Sequence, residues 1–374
     1  MSRRPPEARR APSRIAASAA LAAASLAVTA LVLEAAFRLA GVHVGTVQIN
    51  RATVRRSDDP RLAFELRPGS VVRAEVEYRI NAEGLRGPEV AVSKPPDTRR
   101  VAVLGDSIAF GYWVAEGDAF PRQLEAMLNE ARGAGPRVEV LNFAVPGYSL
   151  DQEIEALRAR ALAFSPDLVV VAFCLNDLEG PFSYELGLVQ DRAARGRSWL
   201  GRVGEGLLGR SRLLSWIEYR LSELEARRAF VRARNPLGGS LDAEGVARQK
   251  AAVDGKLAVL RSLLDARGIP GVVVVFPVLG FRFERYPHRE LHAAVVQAAE
   301  GAGLAAVDLL DCYSGYEFRD LRVDVVHPSP LGHRVAAHAI RDALCARGWL
   351  CAGVPAGPAC TAYRKADFPA VRGY

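Results

Sequence analysis

Five apolar runs, each separated from the next by enough chain for a helix, constrain the fold of this sequence more than any other feature. They are VAVLG (101–105), VEVLNFA (138–144), DLVVVAF (167–173), GVVVVFP (271–277) and LAAVDLL (304–310). Short continuous runs rich in valine are strands buried on both faces, and strands alternating with helices build a parallel sheet with a helical layer on each side. The predicted fold class is therefore α/β. The intervening segments carry the helical period. AFPRQLEAMLNEAR places Phe120, Leu124, Met127 and Leu128 on one face, and SPLGHRVAAHAIRDAL does the same with Leu331, Val335, Ala339 and Leu344.

In an open parallel sheet the carboxyl ends of the strands share one edge, and ligands bind there. Polar residues follow the runs at that edge. The first run leads into Asp106 and Ser107, the second into Asn142 and then Gly147, and the third into Asn176 and Asp177. Near the end, RVDVVHPSPLGH sets Asp324 and His327 three apart, just before a helix start. Taken alone, Asp106 and Ser107 read first as a helix cap; the convergence of Ser107 with the others reads as a site. A serine hydroxyl becomes a nucleophile when a neutral imidazole takes its proton, and the imidazole needs an acceptor on its other nitrogen to fix the tautomer. His327 suits the first task and Asp324 the second. The Ser107 amide, the Gly147 amide and the Asn176 side chain are candidate donors to a developing oxyanion.

GDSIAFG after a strand, NFAVPGYS with its glycine, LND after a third strand and DVVH near the carboxyl end together resemble the four blocks of the SGNH, or GDSL-type, hydrolases. The match runs in order over residues 100 to 345, and INAEGLRGPE ahead of it resembles the lead-in of bacterial membrane-anchored members. The resemblance implies a flavodoxin-like three-layer fold with a five-stranded parallel sheet. It also implies Ser107 as nucleophile, Asp324 and His327 as its partners, and Ser107, Gly147 and Asn176 as the oxyanion hole. Two positions depart from the family pattern: Ile108 stands for the usual Leu, and Cys174 for the Gly two places before the third-block Asn.

The amino terminus points to a membrane. MSRRPPEARRAPSR carries five arginines, and Ile15 to Leu33 then runs 19 residues without a charge. As a helix that run is about 28 Å long, close to the ~30 Å hydrocarbon core. The arginine bias places the amino terminus in the cytoplasm and the body outside a bacterial inner membrane. A cleaved signal peptide and a soluble Ala-rich helix are the competing readings: nine alanines in the run weaken the insertion signal, while its length and Glu34, Phe37 and Arg38 after it speak against cleavage. The expected organisation is a basic tail (1–14), an anchor (15–37), a small antiparallel β appendage and linker (43–97), the hydrolase-like domain (98–348) with a helical insertion at about 180–250, and a carboxyl-terminal tail (349–374). The insertion is expected because Leu178 to Pro270 is longer than a crossover requires; Trp199, Leu200, Val203, Leu207, Leu208, Leu213, Leu214 and Ile217 recur in it at roughly helical spacing.

Other classes fit poorly. The net charge of +7 comes from arginine spread along the chain, with no clustered basic motif, so no nucleic-acid partner is expected. Asp106, Asn176 and His327 are too few for a metallophosphoesterase centre, and His288 and His292 lack the glutamate of a metalloprotease motif, so no metal or other cofactor is expected. Asp177 reads as a helix cap, and His333 and His338 as surface or packing residues. Of five cysteines, Cys174 reads as a buried thiol; Cys312, Cys345, Cys351 and Cys360 suit an oxidising compartment with three possible pairings. The expected function is a serine-dependent esterase acting on acyl esters of envelope glycans or lipids. The alternatives are an O-acyltransferase with the same triad, and a non-catalytic scaffold serving envelope-assembly partners.

Overall fold

A long helix, α1 (Arg14–Leu39), opens the computed structural model, which describes residues 14–40, 52–73, 76–178, 211–214, 216–217, 221 and 243–350. Within α1, Ala16–Leu39 is long and apolar enough to cross a membrane, and its most apolar window is wholly unburied. Two antiparallel ribbons follow, β1 (Val54–Arg56) with β2 (Phe64–Leu66) and β3 (Val71–Arg73) with β4 (Glu77–Arg79). The alternating stretch SVVRAEVEYRI thus folds back on itself, with Arg73 opposite Glu77 and their side chains paired at 3.0 Å.

The α/β body then runs β5 (Thr98–Gly105), α2 (Ser107–Phe110), α3 (Phe120–Ala131), β6 (Arg137–Asn142), α4 (Leu150–Ala159) and β7 (Leu168–Cys174). It continues through α5 (Ala243–Asp265), β8 (Gly271–Phe276), α6 (Arg289–Gly301), β9 (Ala305–Asp308), α7 (Leu309–Tyr313) and α8 (Pro330–Ala346). The sheet order is β6-β5-β7-β8-β9 with every neighbour parallel. This is the doubly wound flavodoxin-like order, whose direction of winding reverses between its first and third strands, here β5 and β7.

Each central strand feeds two cores. Val272, Val274 and Phe276 of β8 pack in one cluster with Phe120, Leu124 and Leu128 of α3 and Val335 and Ile340 of α8. Val273 and Val275 pack on the other face with Ile154 of α4, Leu257 of α5 and Val295 of α6. Every residue of β7 and β8 is buried, and each such Val side chain contributes about 1.5 kcal/mol or more of transfer free energy. The run LAAVDLL leaves the sheet earlier than its hydropathy suggests, because the Asp308 carboxylate accepts from the Leu310 amide and starts α7.

The ribbons share the α3/α8 core. Leu62, Phe64, Leu66, Tyr78 and Ile80 all belong to that cluster. Tyr148 Oη donates to the Phe64 carbonyl at 2.7 Å and Gln152 Nε2 to that of Leu62 at 2.7 Å, tying the ribbons to α4 and to the loop before it. Cys174 is a buried thiol outside any disulfide, while Cys312 and Cys345 are both disulfide-bonded. Residues 1–13, 41–51, 179–210 and 351–374 lie outside the described residues, as do Trp199 to Leu208 of the expected insertion. Of the apolar residues named in that insertion, Leu213, Leu214 and Ile217 are described, Leu213 half-buried and the other two exposed.

Candidate active site

β5 ends at Gly105, where an added Cβ would stand 2.7 Å from the Ala109 Cβ and 3.2 Å from that of Ala172. Glycine therefore lets the chain turn sharply enough to put Ser107 at the first position of α2. Asp106, wholly buried, accepts from the Ile108 amide at 2.8 Å and caps that short helix. Asn142 braces the same turn from the end of β6, donating to the Ala109 carbonyl at 2.8 Å.

From the far end of the chain comes the loop before α8. Val323 N–H donates to the His327 carbonyl at 2.9 Å, closing the loop on itself. Asp324 Oδ1 accepts from the amides of Val326 and His327 at 2.8 and 2.7 Å, an Asx-type turn that aims the second oxygen at the imidazole. Ser329 then caps α8, with Pro330 in its first turn. His327 Nδ1 lies 2.7 Å from Asp324 Oδ2, and His327 Nε2 lies 2.9 Å from Ser107 Oγ. Burial works against the charge on Asp324, but the hydrogen bond and charge of His327 and the two amides outweigh it and hold the carboxyl at about 2. The sequence separates Ser107 from His327 by 220 residues; the parallel sheet brings them together.

Gly147 follows β6 in a left-handed conformation, φ 81°, which favours a residue without a side chain. Its loop runs beside the end of β5, with the Phe143 and Val145 amides donating to the carbonyls of Val103 and Gly105. Asn176 lies just beyond β7, in the 3₁₀ turn Leu175–Leu178, on the other side of β5. Its side chain lies outside the described residues. Ser107, Gly147 and Asn176 thus follow three adjacent strands at the switch point of the sheet.

Asp177 departs from the reading as a helix cap. Its Oδ2 accepts from the Cys174 amide behind it at 2.6 Å, inside the protein. Beside it Glu153 of α4 is also wholly buried, and its oxygens have no hydrogen-bond partner among the described residues. Burial, and then the charge of Asp106, pushes Glu153 well above the usual carboxylate range; burial, and then Glu153 and Asp106, does the same to Asp177. Burial and the neighbouring carboxyls thus favour the protonated form at both positions. His333 is a packing residue, stacked on Phe120 and held neutral mainly by burial, which lowers it to about 3. His288 stands at the N-cap position of α6 without a side-chain cap bond, and His292 bridges Asp308 and Tyr286 at 2.8 and 3.0 Å. No group of three or more metal-type ligands occurs among the described residues.

Two further residues, Trp113 and Arg86, support the site. Trp113 Nε1 donates to Asp324 Oδ2 at 3.1 Å, onto the oxygen that faces His327. Its backbone is left-handed, φ 67°, a conformation costing on the order of 1–3 kcal/mol for a bulky residue. Tyr78 Oη accepts from its amide at 2.9 Å. Arg86, buried between Tyr78 and Phe110, donates to the carbonyls of Phe110, Gly111 and Val114 and so clamps the loop on both sides of Trp113. Arg86 belongs to INAEGLRGPE, so a signal existed for it; nothing local in the sequence marks Trp113.

A hydroxyl, an imidazole and a carboxylate in one hydrogen-bonded line is an arrangement suited to acyl transfer through a serine. Residues 103–335 match the family model described as GDSL-like Lipase/Acylhydrolase family. The chain belongs to that family. As a member it is an ester-hydrolysing enzyme. No curated protein sequence matches it. Among solved structures it is similar to LAE5, an alpha/beta hydrolase enzyme from the metagenome of Lake Arreo, Spain, at 17% identity over 67% of this chain and 96% of that one, TM-score 0.41. It is similar also to Axe2, an acetylxylan esterase from Geobacillus stearothermophilus, at 16% identity over 66% and 94%, TM-score 0.40. TesA aligns at 14% identity over 66% and 98%, TM-score 0.41. Identities and scores of this size carry no substrate across to this chain.

Asn176 offers a test inside the site. If its amide meets the oxyanion, Asn176→Ala lowers kcat by about 10²–10³ with little change in KM. A lowered thermal midpoint with unchanged kcat would remove it from the site and leave the two backbone amides as the donors.

Proposed function

We propose that this chain is a serine-dependent esterase that removes acetyl or another short acyl group from an envelope glycan or lipid, on the outer side of a bacterial inner membrane to which α1 anchors it. The observation that carries the reading is the unbroken line from Ser107 Oγ through His327 to Asp324. Ser107 Oγ attacks the acyl carbonyl carbon while His327 Nε2 takes the hydroxyl proton. The carbonyl electrons move onto oxygen, where the Ser107 and Gly147 amides and the Asn176 side chain are assigned as donors. Asp324 holds Nδ1–H and stabilises the imidazolium. Collapse expels the alcohol, which leaves with the proton from His327, and the acyl group stays on Ser107. Water then attacks the acyl-enzyme through the same proton transfers and releases the free acid.

The membrane part of the reading is supported by the length and exposure of α1 and by the arginines before it. The acyl class rests on the motif resemblance. We assign residues 1–14 to the cytoplasm, 98–348 to the catalytic domain and 349–374 to a tail. The test is an ester panel of increasing acyl length on the full chain, with and without a glycan acceptor. Turnover fastest on acetyl esters, with free acid released in equal amount whether or not acceptor is present, is the expected result. Acyl groups appearing on the acceptor in place of free acid would show a transferase.

A further inference from the structure

Two contacts join α1 to the segment inserted between β7 and α5. Glu34, in the last turns of α1, accepts hydrogen bonds from Ser211 Oγ at 2.8 Å, the Arg212 amide at 3.1 Å and the Leu213 amide at 2.9 Å. One turn further on, Phe37 meets Trp216 edge to face with ring centroids 5.4 Å apart. A carboxylate receiving the first amides of a helical stretch acts as its cap; here the cap comes from a residue 177 positions earlier. Leu214, Ile217 and Leu221 are 38%, 39% and 56% exposed. Their spacing of three and four puts them on one helical face.

We propose that this face lies in the outer surface of the bilayer that α1 crosses, so that the stretch presenting Leu214, Ile217 and Leu221 is an interfacial element holding the catalytic domain against the membrane. The proposal rests on the reading of α1 as a membrane span. Length fixes the depth: the uncharged run Ile15 to Leu33 covers about 28 Å, so Glu34 stands where hydrocarbon gives way to headgroups. Whatever is hydrogen-bonded to Glu34 stands there too. Leu31, Leu33 and Leu39 of α1 are exposed as well, so both elements joined at Glu34 present apolar side chains.

The sequence around 211–221 suits that depth. RSRLLSWIEYRL (210–221) carries Trp216 and Tyr219, aromatics of the kind enriched at membrane interfaces, and Arg210, Arg212 and Arg220, residues whose long stems suit charges held at headgroups. A lipid surface offers both the apolar layer for the leucine and isoleucine face and the phosphates for the arginines. The consequence is a domain held at fixed height above the bilayer, with its site served by esters carried at the bilayer surface.

The test uses the full chain reconstituted in phosphatidylethanolamine–phosphatidylglycerol vesicles, with or without brominated phosphatidylcholine. Subtracting the emission of Trp216→Phe from that of the unaltered chain isolates Trp216, and phenylalanine preserves the ring contact with Phe37. Carbonate extraction on the same samples reports α1 independently. At least twofold quenching of the Trp216 component by bromolipid, lost in the double variant Ile217→Asp with Leu221→Asp, is expected of a carbonate-resistant chain. A carbonate-resistant chain whose Trp216 component ignores bromolipid would overturn the proposal and leave the anchor standing. Trp216 emission that ignores bromolipid and changes with protein-to-lipid ratio would assign the face to a second copy, which overturns it as well. A chain released by carbonate would remove the anchor reading, and the proposal with it.

Discussion

Ser107→Ala reduces ester turnover by on the order of 10⁶ while leaving the fold unchanged, because triad members act as a unit and loss of the nucleophile forfeits nearly all of their joint effect. The substitution removes one oxygen whose hydrogen bond is to His327 Nε2. The turn that carries it is held by other groups, the Asp106 cap and the Asn142 bond to Ala109. His327→Ala brings a loss of the same order, and the double variant is little worse than either single one. The check is kcat/KM on a soluble acetyl ester together with the thermal midpoint. Turnover of Ser107→Ala within tenfold of the unaltered enzyme would exclude the serine pathway.

Asp324→Asn is the second large effect, a loss of about 10⁴ in kcat, and the local hydrogen bonds say why. Asp324 Oδ1 faces two backbone donors, the amides of Val326 and His327, whereas Oδ2 faces Trp113 Nε1 and the His327 ring. An asparagine keeps its carbonyl oxygen on the two amides and turns its NH₂ toward the imidazole. Nδ1 must then accept, the ring proton moves to Nε2, and Nε2 can no longer take the proton of Ser107. The substitution also changes acid behaviour. A carboxyl held at about 2 in the folded chain, below its ordinary value of 3.8, contributes stability above the ordinary value that is lost as pH falls toward 2. Asp324→Asn removes that dependence between about pH 4 and pH 2. A fall in the activity of the unaltered enzyme above about pH 4 therefore reports a group other than Asp324. Thermal midpoints of both proteins from pH 2 to 7 provide the measurement; identical pH slopes in the acid range would contradict the assignment.

The sheet was legible because its strands are buried on both faces and so appear as unbroken valine-rich runs. Ser107, Gly147 and Asn176 were legible because each follows such a run, and Asp324 and His327 because they stand three apart just before a helix start. Where the sequence misled, short-range polar bonds decided. Asp308 ended a strand two residues before its apolar run did, and Asp177 turned back to Cys174 instead of capping forward. Trp113 was hidden because its partner is 211 positions away. Arg86 stood in a recognisable motif, yet its work of clamping residues 110 to 114 appears only when the ribbons pack onto the sheet. Glu153 faces inward at a position where a charged residue normally marks the solvent side of a helix.

The most direct measurement is the site of covalent reaction with a fluorophosphonate. The phosphorus is attacked by an activated hydroxyl, fluoride leaves, and a stable phosphonyl ester remains in place of the acyl-enzyme. Intact mass should show a single adduct per chain, fragmentation should place it on Ser107, and activity should fall in proportion to labelling. An adduct on another residue, or full ester turnover by a chain that takes up no label, would contradict Ser107 as the nucleophile.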